Sequence, residues 1–285
     1  MIVAGVLLVF IALWFGLQAY EHRLIYPGSK RLQVIPDDFR REVEEVEFCA
    51  EDGISLHGRW FSHAEARGVF LVCHGNAGNV SDRLWIAEDL QDLPVNIFIF
   101  DYRGYGKSKG IASEKGTGLD VAAAWEYARN RCGGGESPPI LIYGRSLGGA
   151  VALQAATVFP VRGVILESTF TSILEIAARR YPWLLPRLTC RNPYRSDLRI
   201  SRVLAPVLMA HSPDDQVIPF ELGEALYRKV PNPRKFIRLS GNHVEAGWQT
   251  SPEYAAAVRE FVSECIPAGK MSAEKISRIG REKAV

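Results

Sequence analysis

Short apolar segments alternate with longer amphipathic segments between residues 68 and 265. The apolar segments are too short for helices and are rich in Val, Ile and Phe, which is typical of parallel strands buried on both faces. Six of them occur: GVFLVCHG, VNIFIFDYRG, PILIYG, VRGVILES, APVLMAHS and RKFIRLSG. Helix-compatible stretches lie over 80–90, 118–131, 147–158, 220–228 and 252–265. The alternation predicts a mostly parallel central sheet with helices on both faces.

Two further features are added to this sheet: a pair of strands at one edge and a long insertion. The segments EVEEVEFCA and ISLHGRWFS flank the turn EDG, and their alternating pattern predicts two antiparallel strands at one edge of the sheet. The interval 169–199 is longer than the other connections and carries paired leucines and prolines. We interpret it as a small cap inserted over a single domain that spans residues 42–266.

The first 20 residues contain no charged side chain, and Gln18 is their only strongly polar one. Twenty helical residues are about 30 Å long, enough to cross a bilayer, so the pattern predicts a single-pass transmembrane anchor over 1–20. A cleaved signal peptide is the alternative, but it calls for a basic start and a small-residue cleavage site. Five Lys or Arg follow within the connector 21–41 and none precede, which predicts a membrane protein with the following domain on the cytoplasmic side.

Composition excludes several classes of function. The chain has 285 residues, an apolar fraction of 47% and a net charge of +2, without a basic stripe interleaved with aromatics. We therefore expect no nucleic-acid partner. The five cysteines and six histidines are scattered and form no CxxC pair, so we expect no disulfide framework, no metal site and no cofactor. The segment 267–285 is a polar, basic tail.

One serine stands out within PPILIYGRSLGGAVALQAA. An apolar strand must turn into a helix within a few residues, and Gly144 and Gly148 remove the Cβ atoms that would clash in so sharp a turn. Ser146 is thereby left at the tip, with the N-terminus of the next helix directed at it. A strand, GxSxG and a helix in this order predict a nucleophilic serine.

A serine hydroxyl needs a base to accept its proton, and a fold of this kind supplies the groups in the chain order Ser, acid, His. Downstream of Ser146 only His211 and His243 occur. His243 follows the last predicted strand, where a loop can hold it over the sheet, and is the predicted base. His211 ends a strand where an acid is required, and Asp214 and Asp215 follow it.

Taken together, these segments resemble the α/β-hydrolase superfamily, and within it the small-cap, often membrane-anchored serine hydrolases of the Bem46-like group. The resemblance is carried by HGNAGN, DYRGYGKSKG, GRSLGG, HSPDDQVIP and GNH, which follow in the right order over about 70–245. It implies that the acid is Asp215, with Asp214 as the alternative. It also implies an oxyanion hole formed by the backbone N–H groups of Leu147 and Asn76.

The sequence therefore predicts a serine hydrolase that cleaves a carboxylic ester or thioester through an acyl-enzyme. Its expected partners are a small or lipid-like acyl substrate, apolar or membrane-associated, and the bilayer that holds the N-terminal helix. Two alternatives stay open: a serine aminopeptidase-type peptidase on the same fold, and a non-catalytic binding protein with a hydrolase fold. The sequence does not indicate which oligomeric state the protein adopts.

Overall fold

The computed structural model describes residues 2–132 and 137–266 of the chain, with side chains from Leu7 onwards. In this part of the chain eight strands form one sheet in the order β1-β2-β4-β3-β5-β6-β7-β8. The strands are β1 (Val43–Cys49), β2 (Ser55–Phe61), β3 (Val69–Cys73), β4 (Asn96–Asp101), β5 (Ile140–Arg145), β6 (Gly163–Glu167), β7 (Val207–His211) and β8 (Pro233–Arg238).

The strand directions agree with the sequence pattern. β1 pairs antiparallel with β2, and β2 with β4, whereas the strands from β3 to β8 run parallel. β1 and β2 can be antiparallel neighbours because a tight turn joins them, with Gly53 at a φ of 78°. The parallel strands need helical crossovers, which the amphipathic segments provide. The predicted α/β-hydrolase sheet with its antiparallel edge is confirmed.

Helices cover both faces of the sheet. The α-helices are α1 (Ile2–Ile25), α2 (Leu84–Asp89), α3 (Glu114–Arg131), α4 (Leu147–Ala156), α5 (Ile173–Arg180), α6 (Pro186–Thr189), α7 (Ser196–Arg199), α8 (Phe220–Tyr227) and α9 (Pro252–Cys265). Short 3₁₀ turns lie at Val80–Arg83, Pro182–Leu184 and Ile200–Arg202. α3 begins before the predicted residue 118, because the Ser113 hydroxyl accepts a hydrogen bond from the Gly116 N–H and caps the helix there.

Two apolar cores result, one on each face of the sheet. One core contains side chains of α3 and α4, such as Val121, Trp125 and Val151, and the other contains side chains of α2 and α9, such as Ile86, Val258 and Phe261. The central strands β3 to β7 are buried on both faces, which is why their sequences are continuously apolar, whereas the edge strand β8, predicted as a buried strand, is largely exposed. The carboxyl ends of the parallel strands meet at one edge, where ligands bind in open α/β sheets.

The interval predicted as a cap holds α5, the turn Pro182–Leu184, α6 and α7, all between β6 and β7. Ser172 caps α5 by accepting from the Glu175 N–H. The side chains of α5 are all at least partly exposed. α5 therefore lies outside the two cores, with Ile173 and Ile176 packed against one of them.

The N-terminal segment differs from the prediction. α1 continues to Ile25, past the boundary expected at residue 20, because no proline occurs before Pro27. Among the described residues no helix is long and apolar enough to cross a membrane, so a transmembrane anchor over 1–20 is not supported. The physical reason is that the described apolar run ends at Gln18, and the following turns carry Glu21, His22 and Arg23.

Parts of two predictions lie outside the described residues. The side chains of residues 1–6, where the anchor was expected to begin, are one part, and the basic tail over 267–285 is the other. The membrane location and the cytoplasmic side expected from the N-terminal segment stay predictions.

Candidate active site

A sharp turn between β5 and α4 presents Ser146. β5 ends at Arg145 and α4 begins at Leu147, so one residue makes the whole connection. Ser146 has a φ of 55° and a ψ of −121°, a conformation that residues other than glycine rarely adopt. Its N–H donates to the Glu167 carbonyl at 2.9 Å, and its carbonyl accepts from the Thr169 hydroxyl at 2.9 Å. These bonds hold a backbone strain of the kind found at functional sites.

Two glycines permit this turn because the surrounding backbone leaves no room for a side chain. A Cβ atom on Gly148 would lie 1.9 Å from the carbonyl oxygen of Cys73, at the end of β3. A Cβ atom on Gly144 would lie 2.3 Å from the carbonyl oxygen of Gly148 itself. The turn is therefore packed directly against the neighbouring strand, as the spacing of glycines in the sequence predicts.

Three predicted side chains from distant parts of the chain lie together. Nε2 of His243 is 3.1 Å from the Ser146 hydroxyl oxygen, and Nδ1 of His243 is 2.6 Å from Oδ2 of Asp215. With Asp215 ionised, Nδ1 carries the ring proton, and Nε2 is left as an acceptor facing the hydroxyl. The arrangement can remove the proton of Ser146 and stabilise the imidazolium that forms.

Asp215 is held on both oxygens. Its Oδ1 accepts from the N–H groups of Val217 and Ile218 at 2.9 and 2.8 Å, and its Oδ2 faces His243. Burial acts to raise the pKa of this carboxyl, but hydrogen bonds from His211 and His243 hold the pKa below its ordinary value. Asp215 is therefore ionised when the site works near neutral pH.

The neighbouring candidates occupy other places. His211 is fully buried; its Nε2 lies 3.1 Å from the Ile218 carbonyl and 3.2 Å from Oδ2 of Asp215, so it orders the loop of the acid. Asp214 is exposed, and the Gly241 N–H reaches its carboxylate only at 3.4 Å. The geometry brings Asp215, and not Asp214, to His243.

The two predicted oxyanion donors border the same cavity as Ser146. Leu147 opens α4, and Asn76 lies in the loop after β3, whose Gly75 is close enough that a Cβ there would be 3.8 Å from Cβ of Ser146. Tyr105 fixes this loop by donating to the Asn76 carbonyl at 2.8 Å. Within the described residues, neither the Asn76 N–H nor the Leu147 N–H has a hydrogen-bond acceptor. Both are free to donate to a developing oxyanion.

Arg145, next to the serine, has a role that the sequence did not reveal. Its Nε lies 2.9 Å from Oε1 of the fully buried Glu167, and its Nη2 donates to the carbonyls of His243, Val244 and Ala246. Although burial acts to lower the pKa of Arg145, the Glu167 carboxylate raises it, so the guanidinium stays charged. Arg145 thus ties the loop of His243 to the strand that carries Ser146. A strand-ending arginine gives no sequence signal for such a tie, because its partners are backbone carbonyls.

Above the serine lies a cavity of about 480 Å³, within the range of ligand pockets. Its floor holds Ser146, His243 and the two predicted oxyanion residues, and its walls come from α5, the following turn and α6. The C-terminal turns of α1 complete the wall. The cap side chains that line it are mainly apolar: Ile173, Ile176, Tyr181, Leu184 and Pro186. In the described residues no group of three or more His, Cys, Asp or Glu could hold a metal ion.

Comparisons with known proteins bear on the family to which the chain belongs. A family model described as serine aminopeptidase, S33, matches residues 64–202. The chain is 33% identical to an uncharacterized Mycobacterium tuberculosis protein, over 94% of this chain and 96% of the relative. It is 34% identical to the protein bem46 of Schizosaccharomyces pombe, over 76% of each chain. It is 32% identical to the Arabidopsis thaliana alpha/beta hydrolase domain-containing protein WAV2, over 93% and 92%.

Solved structures give the same fold at low identity. A Pyrococcus furiosus esterase superposes with a TM-score of 0.71 at 20% identity, covering 85% of this chain and 98% of the esterase. Est1E of Butyrivibrio proteoclasticus, solved with ferulic acid bound, superposes with a TM-score of 0.65 at 21% identity, covering 78% and 100%. The predicted resemblance is confirmed by relatives and folds together.

Substituting Gly148 tests the close packing of the turn. Gly148→Ala places a methyl group against the Cys73 carbonyl, and we expect it to lower the free energy of unfolding by about 2 kcal/mol or more. The control is Gly118→Ala in α3, where a Cβ meets only the Gln154 side chain at 3.5 Å and alanine is the better helix former. Urea unfolding measures both; equal stabilities for the two variants would contradict the packing described.

Substituting Arg145 tests the tie to the His243 loop. Arg145→Lys keeps the charge near Glu167 but loses the fork that reaches several carbonyls, so we expect kcat to fall roughly tenfold or more. Arg238→Lys, at an exposed pair with Glu224, is the matched control and should keep the parental rate. Hydrolysis of a water-soluble ester measures both, and a parental kcat in Arg145→Lys would show that the loop holds its place unaided.

Proposed function

We propose that the chain, which belongs to the Bem46-like group of the α/β-hydrolase superfamily, is a serine hydrolase that cleaves carboxylic esters or thioesters of apolar acyl substrates. The observation that carries the proposal is the hydrogen-bonded series from Ser146 through His243 to Asp215, at the floor of a mainly apolar cavity. A nucleophile, its base and the group that orients the base are the minimum set for acyl transfer.

Each step uses groups of this chain. Nε2 of His243 accepts the proton of Ser146 while the serine oxygen attacks the acyl carbon. The carbonyl oxygen becomes negative and accepts hydrogen bonds from the N–H groups of Leu147 and Asn76, aided by the positive end of α4. His243 then returns the proton to the leaving alkoxide or thiolate. Water, activated by the same histidine, releases the acid from Ser146.

A peptidase is the second candidate, because the matched family model is described as serine aminopeptidase. An aminopeptidase must bind the charged amino end of its substrate, for which a carboxylate is the natural partner. Within the described part of the chain, the cavity is lined by one acidic residue, Glu21. That carboxylate already accepts from the N–H groups of Arg191 and Asn192 at 3.0 and 2.9 Å. The lining therefore favours an acyl group over a peptide N-terminus.

Replacing the nucleophile is the direct test. Ser146→Ala should fold with a melting temperature within a few degrees of the parent and lose turnover by roughly a million-fold, because the three residues act as a unit. A fluorophosphonate probe should label the parent at Ser146 and leave the variant unlabelled. An unlabelled parent, or a variant that keeps a tenth of the rate, would overturn the proposal and favour a non-catalytic binding protein.

The same preparation decides between ester and peptide substrates. p-Nitrophenyl esters and acyl thioesters should be hydrolysed far faster than aminoacyl p-nitroanilides at equal concentration. The reverse order would support the aminopeptidase, with Ser146 still as nucleophile.

Replacing each acid in turn tests which one serves His243. Asp215→Asn should lower kcat by roughly ten-thousand-fold, because an amide stabilises the wrong histidine tautomer. Asp214→Asn is the matched control, one residue away and exposed, and should stay within a few-fold of the parent. A large loss in Asp214→Asn with a mild effect in Asp215→Asn would assign the role to the other acid.

A further inference from the structure

The N-terminal helix α1 forms part of the substrate cavity. Leu17, Tyr20, Glu21, Leu24 and Ile25 all line it together with Ser146 and His243. Their spacing of three, four and seven residues puts them on one face of the helix. From residue 17 to residue 25 that face extends for about 12 Å. α1 ends at Ile25, 121 residues before Ser146 in the sequence, yet it lines the same cavity as Ser146.

Polar bonds attach this face of α1 to the loop after α6. The amide of Gln18 donates to the Thr189 carbonyl at 3.1 Å. The Glu21 carboxylate accepts from the Arg191 N–H at 3.0 Å, and from the backbone and side-chain N–H groups of Asn192 at 2.9 and 3.1 Å. Charge-assisted bonds of this kind are stronger than neutral ones. They fix both the position of α1 along the cavity and its rotation about its own axis.

Aromatic packing and burial fix the end of the helix. Tyr20 meets Tyr181 of the cap edge-to-face, with ring centroids 6.5 Å apart. Ile25 and Tyr26 are buried in the core, and the Tyr26 hydroxyl lies 3.0 Å from the hydroxyl of Tyr194. Tyr194 in turn lies 2.8 Å from the Thr117 hydroxyl in α3. The wall is therefore connected to the body of the domain and to the cap at once.

We propose that α1 is a specificity element of the acyl site, with Leu17, Tyr20 and Leu24 forming the wall along which a long acyl chain lies. This inference rests on the proposed acyl-hydrolase function. The cavity suits an apolar occupant because most of the side chains that line it are apolar, with Arg180 as the one Lys or Arg among them in the described part of the chain. Glu21 is bonded to loop N–H groups, and Ser146 and His243 are bonded to each other. A two-carbon acyl group at Ser146 is too short to reach along this wall, whereas a long chain gains from burial against it.

Filling the wall tests the proposal. Leu17→Trp and Leu24→Trp enlarge side chains that face the cavity, so they should exclude the distal methylenes of a long chain. Each buried methylene contributes about fourfold to binding, so excluding three or four of them costs roughly a hundredfold. The measured quantity is the ratio of kcat/KM for p-nitrophenyl esters with acyl chains from acetate to palmitate. We expect the long-to-short ratio to fall by about that factor in both variants.

Two further variants make the test specific. Leu8→Trp is the same substitution on the opposite face of α1, where the side chain is 66% exposed and does not line the cavity, and it should keep the parental profile. Leu24→Ala widens the wall and should move the preferred chain length upward, the opposite direction from Leu24→Trp. Melting temperatures identify any loss of activity that comes from unfolding. Such a loss lowers the hydrolysis rates of short-chain and long-chain esters by the same factor.

The outcomes separate this inference from the function on which it rests. If the parent hydrolyses no ester and no fluorophosphonate labels Ser146, the proposed function fails. If the parent hydrolyses acyl esters while Leu17→Trp, Leu24→Trp and Leu24→Ala all keep its chain-length profile, the inference is overturned. α1 is then only a structural helix. Labelling rates of Ser146 with short-alkyl and long-alkyl fluorophosphonates give a second readout, and they should show the same dependence on residues 17 and 24.

Discussion

The close approach of the β5–α4 turn to the end of β3 is the contact on which the site depends. Gly148 leaves no space between its own backbone and the Cys73 carbonyl, so the serine and the loop after β3 are set beside each other. Leu147 and Asn76, which both line the cavity and whose N–H groups are the predicted oxyanion donors, belong to these two elements. Any side chain at position 148 would separate them, and the donors would no longer converge on one oxygen.

His243, the predicted base, reaches this point from the side of β5 opposite to β3, and hydrogen bonds to backbone carbonyls hold its loop. β5, β6, β7 and β8 are neighbours in this order, so the loops after β7 and β8 bring Asp215 and His243 together. Arg145 then joins the His243 loop to β5 through carbonyl groups, with the buried Glu167 compensating its charge. The relative position of Ser146 and His243 thus depends on the ion pair between Arg145 and Glu167 as well as on the hydrogen bond between the two residues.

Local signals in the sequence predict the parallel strands, their helices and the three side chains that meet. Buried strands are continuously apolar, and a turn as tight as that at Ser146 requires glycines at fixed offsets. The sequence did not predict the hydrogen bonds by which Arg145 holds the His243 loop, or the residue at which α3 begins. An arginine bound to carbonyls has no pattern in one dimension, and a capping serine such as Ser113 is a common residue whose role depends on its φ and ψ. The roles assigned to Ser146, Asp215, His243 and the two donors stay predictions.

The apolar run of the N-terminal helix is compatible with more than one structural role. An uninterrupted set of apolar residues predicts a bilayer span, but apolar side chains on one helical face serve equally well as the wall of a cavity. The decisive residues are the polar ones near its end: Gln18 and Glu21 point to the cap and are satisfied there by backbone groups. Removing the helix would leave those N–H groups of the cap loop without their acceptor. The cap and α1 therefore form one structural unit around the cavity. The N-terminal helix and the insertion between β6 and β7 together determine the shape of the cavity.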